Sequence, residues 1–248
     1  MIKKFKLLLI LIFILNINSV NARELGEATE YKMTIHKLEL CKTGSTIGAM
    51  GANWNCVDSA DVSGGSIGSA IDIGSAAIGV GQAAATLGNF GKVKTGVTYT
   101  HIITTLSRDI QITGSTSSCV TNGDGAKETN ISNDTGGGDS KASGTPVSSK
   151  LWVPAMTGQD ASVRSVSDTT GSNAQVNGTI LDSHLFFQSI MTLSKPYTLK
   201  PGQIPTVTMA FDTQSALAAR SEGNCANGGS DTEMQAAAPT ATLTIQGQ

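Results

Sequence analysis

Residues 97–113 read VTYTHIITTLSRDIQIT, and this stretch decides the fold. It is dense in Val, Ile, Thr and Tyr, the residue types that fit a pleated, half-buried surface. Ile102, Leu106, Ile110 and Ile112 share one parity, so an extended chain places them on one face. Working outward, residues 31–41 read YKMTIHKLELC. Tyr31, Met33 and Ile35 alternate on one face, and after His36-Lys37 the apolar residues Leu38 and Leu40 fall on the other. Such a change of phase predicts a β-bulge, or a strand crossing from one face to another. Further strand character falls at 70–73, 150–154, 174–180, 184–193, 206–212 and 240–245. Residues 43–69 read as loop. Residues 71–87 mix alanines with Gly74, Gly79 and Gly81, which predicts a short strand at 70–73 followed by irregular or weakly helical chain. Residues 115–149 are polar, with Gly136-Gly137-Gly138 near their centre, and predict a flexible insertion outside the core. The pattern predicts an all-β protein, an antiparallel β-sandwich of about seven or more strands in one domain spanning 23–248.

The first 22 residues set the expected compartment. A basic start (Lys3, Lys4, Lys6), an apolar run over 7–15 and small residues before Arg23 form the three-part pattern of a secretory signal peptide. Removing this leader takes away three lysines and no acids, which moves the formal charge from −2 to −5. An acidic chain whose longest remaining basic cluster is Lys92-Val93-Lys94 is not expected to bind nucleic acid. No later run reaches the length of a membrane-spanning helix, so no integral membrane span is expected. The expected location is periplasmic, cell-surface or extracellular.

Four cysteines, Cys41, Cys56, Cys119 and Cys225, lie after the leader. An even count in an exported chain predicts two disulfides. Three pairings are possible; Cys41–Cys56 with Cys119–Cys225 is favoured, because the first closes a single Gly/Asn-rich loop. A four-cysteine zinc site would call for close C-x₂₋₄-C spacing, which is lacking.

Catalytic patterns are sparse. His36, His101 and His184 fall in expected strands, without metal-binding spacing. The nucleophile-elbow pattern G-x-S-x-G does not occur. Acid pairs such as Asp58 with Asp61, or Glu222 with Asp231, read as solvated loop residues. A non-enzymatic protein is expected. Two ligand hypotheses arise. Asn122, Asp124, Glu128, Asn133, Asp134 and Asp139 crowd one Gly-rich loop, where hard oxygen donors suit calcium; Asp124, Asp134 and Asp139 are the candidate ligands. Trp54 lies inside the Cys41–Cys56 loop and is the aromatic nominated for ligand contact, a glycan being one ligand of that kind.

The segments YKMTIHKLELC (31–41), GVTYTHIITTLSRDIQITG (96–114) and KPGQIPTVTMAFD (200–212) resemble uncharacterised secreted β-sandwich surface proteins of aquatic Gram-negative bacteria, similar in outline to fimbrial-type and pre-albumin-like sandwiches. The resemblance implies a fold and a compartment, and carries no catalytic residue across. The function expected from the whole chain is that of an exported structural or adhesive cell-surface protein, whose partners are other copies of itself or other surface proteins. In that case the segment 23–30 would complement a neighbour's sheet edge. The alternative is a monomeric glycan- or calcium-binding module.

Overall fold

The computed structural model describes residues 24–65, 67–74, 89–125, 140–153, 155–158, 160–203, 205–221 and 232–247; the expected leader lies outside them. Through these residues run β1 (Glu24–Lys42), β2 (Ala60–Asp61), β3 (Ala70–Asp72), β4 (Thr98–Ser107), β5 (Asp109–Ser115), β6 (Val120–Thr121), β7 (Ser140–Lys141) and β8 (Ser149–Trp152). There follow β9 (Met156–Thr157), β10 (Val163–Val166), β11 (Thr179–Ile180), β12 (Phe186–Thr198), β13 (Pro205–Asp212), β14 (Leu217–Ser221), β15 (Thr232–Ala236) and β16 (Thr240–Gly247). One 3₁₀ turn covers Phe90–Lys92. No helix among the described residues is long and apolar enough to cross a membrane.

The all-β, antiparallel class is what the chain adopts. Its principal sheet follows the path β10-β12-β4-β1-β5-β6-β7, strongly curled into a half-barrel. β2, β3 and β14 add to β1, β15 adds to β14, and β8 adds to β5; β9–β11 and β13–β16 are separate pairs.

The organising element is β1, 19 residues long. Its inward side chains change parity twice. Gly26 and Ala28 face inward first, then Tyr31, Met33 and Ile35, then Leu38 and Leu40. Each change coincides with a register shift of one residue, between Ala28 and Glu30 against β5 and between Ile35 and Lys37 against β4. One extra residue (Thr29, then His36) reverses the alternation of everything that follows, and bulges of this kind also bend and twist a strand. The phase switch expected after His36 is thus present, together with a second one upstream.

The stretch 97–113 is not one strand. It divides at Arg108 into β4, which pairs with the C-terminal half of β1, and β5, which pairs with its N-terminal half. On their far sides β4 meets β12 and β5 meets β8. Arg108 stands where these neighbours part: its amide donates to the Leu185 carbonyl (2.9 Å) and its carbonyl accepts from the Val153 amide (2.8 Å).

Ile102, Leu106, Ile110 and Ile112 join Tyr31, Met33, Ile35, Leu38 and Leu40 in the main core. Phe211 of β13 belongs to that core, and Ala241 and Ile245 of β16 pack against it. On the other face of the β1–β4–β12 region, Ile103, Ile190, Cys41 and Trp54 form a second, smaller cluster.

Two expectations are corrected. The flanks of 115–149 belong to the sheet: β6 pairs with β5 and β7, Thr121 is fully buried, and its hydroxyl meets the Gly114 amide (3.2 Å). Residues 126–139 lie outside the described residues. Of 174–180 only Thr179–Ile180 is strand, because Asn177 turns its side-chain amide onto the Ile47 (2.6 Å) and Ala49 (3.1 Å) carbonyls of the disulfide loop.

Candidate functional site

Both ends of β1 carry features beyond simple packing. At the N-terminal end, residues 24–26 pair with β14 while residues 27–32 pair with β5, so the segment passes from one neighbour to the other. The Ala28 amide donates to the Thr213 carbonyl (3.1 Å), and the Thr213 hydroxyl donates back to the Ala28 carbonyl (3.0 Å). Backbones approach very closely here. A Cβ on Gly26 would stand 2.1 Å from the Ser115 oxygen, and one on Gly114 would stand 2.2 Å from the Glu27 oxygen. Glycine is the only residue that fits such contacts. The Glu24 carboxylate accepts from the hydroxyls of Ser117 and Ser118.

At the first bulge the Glu30 carboxylate accepts hydrogen bonds from Lys32, Ser148 and Thr113. Burial alone would raise its pKa. The hydrogen bonds from Lys32, Ser148 and Thr113 and the Lys32 charge outweigh burial and hold it at about 2, against an ordinary 4.5. A depressed carboxylate pKa stabilises the fold above its unfolded value, and that contribution is lost as pH falls through the folded one. Stability is therefore expected to decline between pH 4.5 and about 2. Glu30→Gln should flatten that part of the profile, as read by thermal melts across the acid range.

At the C-terminal end, Cys41 and Cys56 form a disulfide with Cα atoms 5.2 Å apart, as expected. Cys119 is buried in the main core and disulfide-bonded; Cys225, its expected partner, lies outside the described residues. The disulfide loop carries Trp54 onto the outer face of the sheet, where it is 8 % exposed. Its indole N–H donates to the Ala161 carbonyl (2.9 Å), and the Arg164 guanidinium lies 4.2 Å from its ring centroid. Arg164 in turn donates to Gln188 Oε1 through Nε (3.1 Å) and Nη2 (2.9 Å). Trp54 is therefore a covered packing residue and not an exposed platform for a ligand.

Beside this loop opens a cleft of about 340 Å³. Lys42, Asp58, Asp61, Lys92 and Lys94 line it over a base that includes Tyr99. Lys42 Nζ pairs with Asp58 Oδ2 at 3.3 Å. Asp58 has a left-handed backbone (φ 41°), a conformation Asp adopts more readily than most residues. The Asp61 carboxylate accepts from the Ser63 amide (2.9 Å). Asp58 and Asp61, read from sequence as solvated loop acids, thus converge on one concavity.

The remaining candidates do not assemble. Asp124 Oδ1 accepts from the Lys150 amide (2.7 Å), which ties the loop to β8. Asp134 and Asp139 lie outside the described residues. No group of three or more His, Cys, Asp or Glu among the described residues could hold a metal ion. His36 Nε2 meets Ser107 Oγ at 2.8 Å, His101 Nδ1 meets Thr100 Oγ1 at 2.9 Å, and His184 Nδ1 meets Ser165 Oγ at 3.0 Å. Burial lowers the pKa of His36 and His101, with Asp109 opposing at His36. The His36 ring packs edge-on against Phe186 (5.1 Å). Asn177, which begins an N-x-T triplet, is 1 % exposed and held by the disulfide loop.

Sequence reasoning missed Arg108, although its signal was present. Arg108 shares the inward parity of Leu106, Ile110 and Ile112, and a charge on the buried face of the strongest strand marks a built site. No family model, no curated protein and no solved structure matches the chain.

Proposed function

We propose that this chain is a non-enzymatic, exported structural subunit of the cell surface, and that residues 24–28 are its element of self-assembly. One observation carries this proposal. The segment pairs with β14 over residues 24–26 and with β5 from Glu27 onward, yet it inserts only Gly26 and Ala28 inward and is followed at once by a bulge. A terminal strand with so small an apolar content and a hinge behind it can leave its own groove and enter that of a second copy, where it remakes the same hydrogen bonds. Leu25, 54 % exposed, is the one large apolar side chain the segment offers to solvent. The Cys41–Cys56 disulfide is consistent with an oxidising, exported location. In this proposal the β13–β16 pair, which packs on the main core, acts as the second layer of a sandwich. The resemblance to secreted surface sandwiches is in keeping with that arrangement.

The test uses the register pair Leu25↔Ala218. Leu25→Cys with Ala218→Cys is refolded from denaturant at high and low protein concentration, then oxidised and run on a non-reducing gel. Exchange is expected to give a ladder of covalent multimers at high concentration, and Gly26→Val on the same background should remove it. Cross-linked monomer at every concentration, with discrete monomers in electron micrographs, would sink the proposal.

A further inference from the structure

The cleft beside the disulfide loop has a charge pattern that packing does not require. Val93 follows the 3₁₀ turn Phe90–Lys92 in an extended conformation (φ −69°, ψ 131°) and is buried. Side chains alternate along extended chain, so Lys92 and Lys94 face away from the core together. Both line the cleft, and Lys42 reaches it from the end of β1. Lys92-Val93-Lys94, unremarkable as a run of sequence, thereby supplies two of the three lysines that line the cleft.

Two carboxylates answer this set only in part. Asp58 is held by Lys42 (3.3 Å), and Lys92 acts electrostatically on Asp61. Among the described residues no carboxylate forms an ion pair with Lys94. Three lysines against two aspartates leave the lining with one surplus positive charge. Below them Tyr99 is 1 % exposed, its hydroxyl accepts from the Lys94 amide (3.4 Å), and Val97 adds an apolar wall.

These features select among ligand classes. A phosphate dianion would exceed the surplus charge and meet repulsion from Asp58 and Asp61. A neutral sugar would make no use of the surplus positive charge. A monoanion rich in hydroxyls meets both demands: its carboxylate pairs with Lys94 and Lys92, and its hydroxyls donate to the two aspartates. The volume lies at the low end of the range for small-molecule sites, which suits a single ring. We propose that this cleft binds a sugar acid, a saccharide unit carrying one carboxylate. The cleft lies at the opposite end of β1 from the segment assigned to assembly, so either proposal can fail without the other.

The test is titration of glucuronate into the full exported chain at low ionic strength, followed by calorimetry and by amide chemical shifts. Glucose, acetate and inorganic phosphate serve as comparison ligands. For a ligand of this size a Kd on the order of 1 mM is expected. Shifts should centre on the cleft, and affinity should fall as salt rises from ~0.02 to ~0.2 M. Lys94→Gln should weaken glucuronate about tenfold, Lys94→Arg should retain most of the affinity, and both should keep the parent circular dichroism spectrum. Glucose, acetate and phosphate should each bind at least about tenfold more weakly than glucuronate. The proposal is overturned by absence of glucuronate binding, by equal binding of any comparison ligand, or by indifference to Lys94→Gln.

Discussion

Arg108→Met is expected to lower the stability of the fold by about 3–5 kcal/mol. Arg108 is fully buried, and its guanidinium faces backbone carbonyls on two sides. Nε and Nη2 donate to Val153 (3.0 and 2.8 Å), while Nη1 donates to Leu181 (2.8 Å), Asp182 (3.1 Å) and His184 (2.8 Å). These carbonyls belong to the chain leaving β8 and the chain entering β12, the two neighbours that separate where β4 passes into β5. Methionine fills much of the space but supplies no donor. Four part-buried acceptors then lose a partner, each at a cost of up to about 1–3 kcal/mol before relaxation and entering water recover part of it. Arg108→Lys keeps the charge and loses the planar fork, so it should fall between the parent and the methionine variant. Urea unfolding reads the effect as a lower midpoint at unchanged slope. A methionine variant within ~0.5 kcal/mol of the parent would show that these carbonyls do not depend on the guanidinium.

The difference between what the sequence revealed and what it hid follows from side-chain size and from sequence distance. The bulge at His36 was legible because large residues, Ile35 before it and Leu38 after it, announce the change of parity. The bulge at Thr29 was silent because Gly26 and Ala28, the inward residues on its early side, carry almost no hydropathic signal. The short strands β10 (VRSV) and β14 (LAARS) went unread for a similar reason: VRSV mixes polar with apolar residues, and Ala218 and Ala219, though buried, carry little hydropathic signal. Trp54 is a case of distance. Within its loop nothing shows what covers it, since Ala161 and Arg164 arrive from a segment 107 residues away or more. The cleft combines both causes: Lys92 and Lys94 are visible as a pair, but Lys42 reaches them only once β1 and β4 have paired.

Cys41→Ser with Cys56→Ser is expected to cost about 3 kcal/mol, the loop-closure entropy for a separation of 15 residues. For a domain of this size that corresponds to a fall in melting temperature of about 6–12 °C. The loop does more than close on itself. It delivers Trp54 to Ile103 and Ile190, and just beyond it Asp58 pairs with Lys42 in the lining of the cleft. Without the cross-link the loop is held by the Thr46–Asn55 bridge, by Asn177 on the Ile47 and Ala49 carbonyls, and by the indole on Ala161. These contacts support one another, so Trp54→Ala should cost less on the double-serine background than on the parent, a non-additivity typical of groups that share one seat. Trp54 fluorescence should shift to the red as the loop loosens, while the main core on the opposite face keeps its unfolding slope. If the double variant melts within about 1 °C of the parent and its emission is unchanged, the hydrogen bonds alone hold the loop. The disulfide would then be a marker of compartment and not a structural requirement of the cleft.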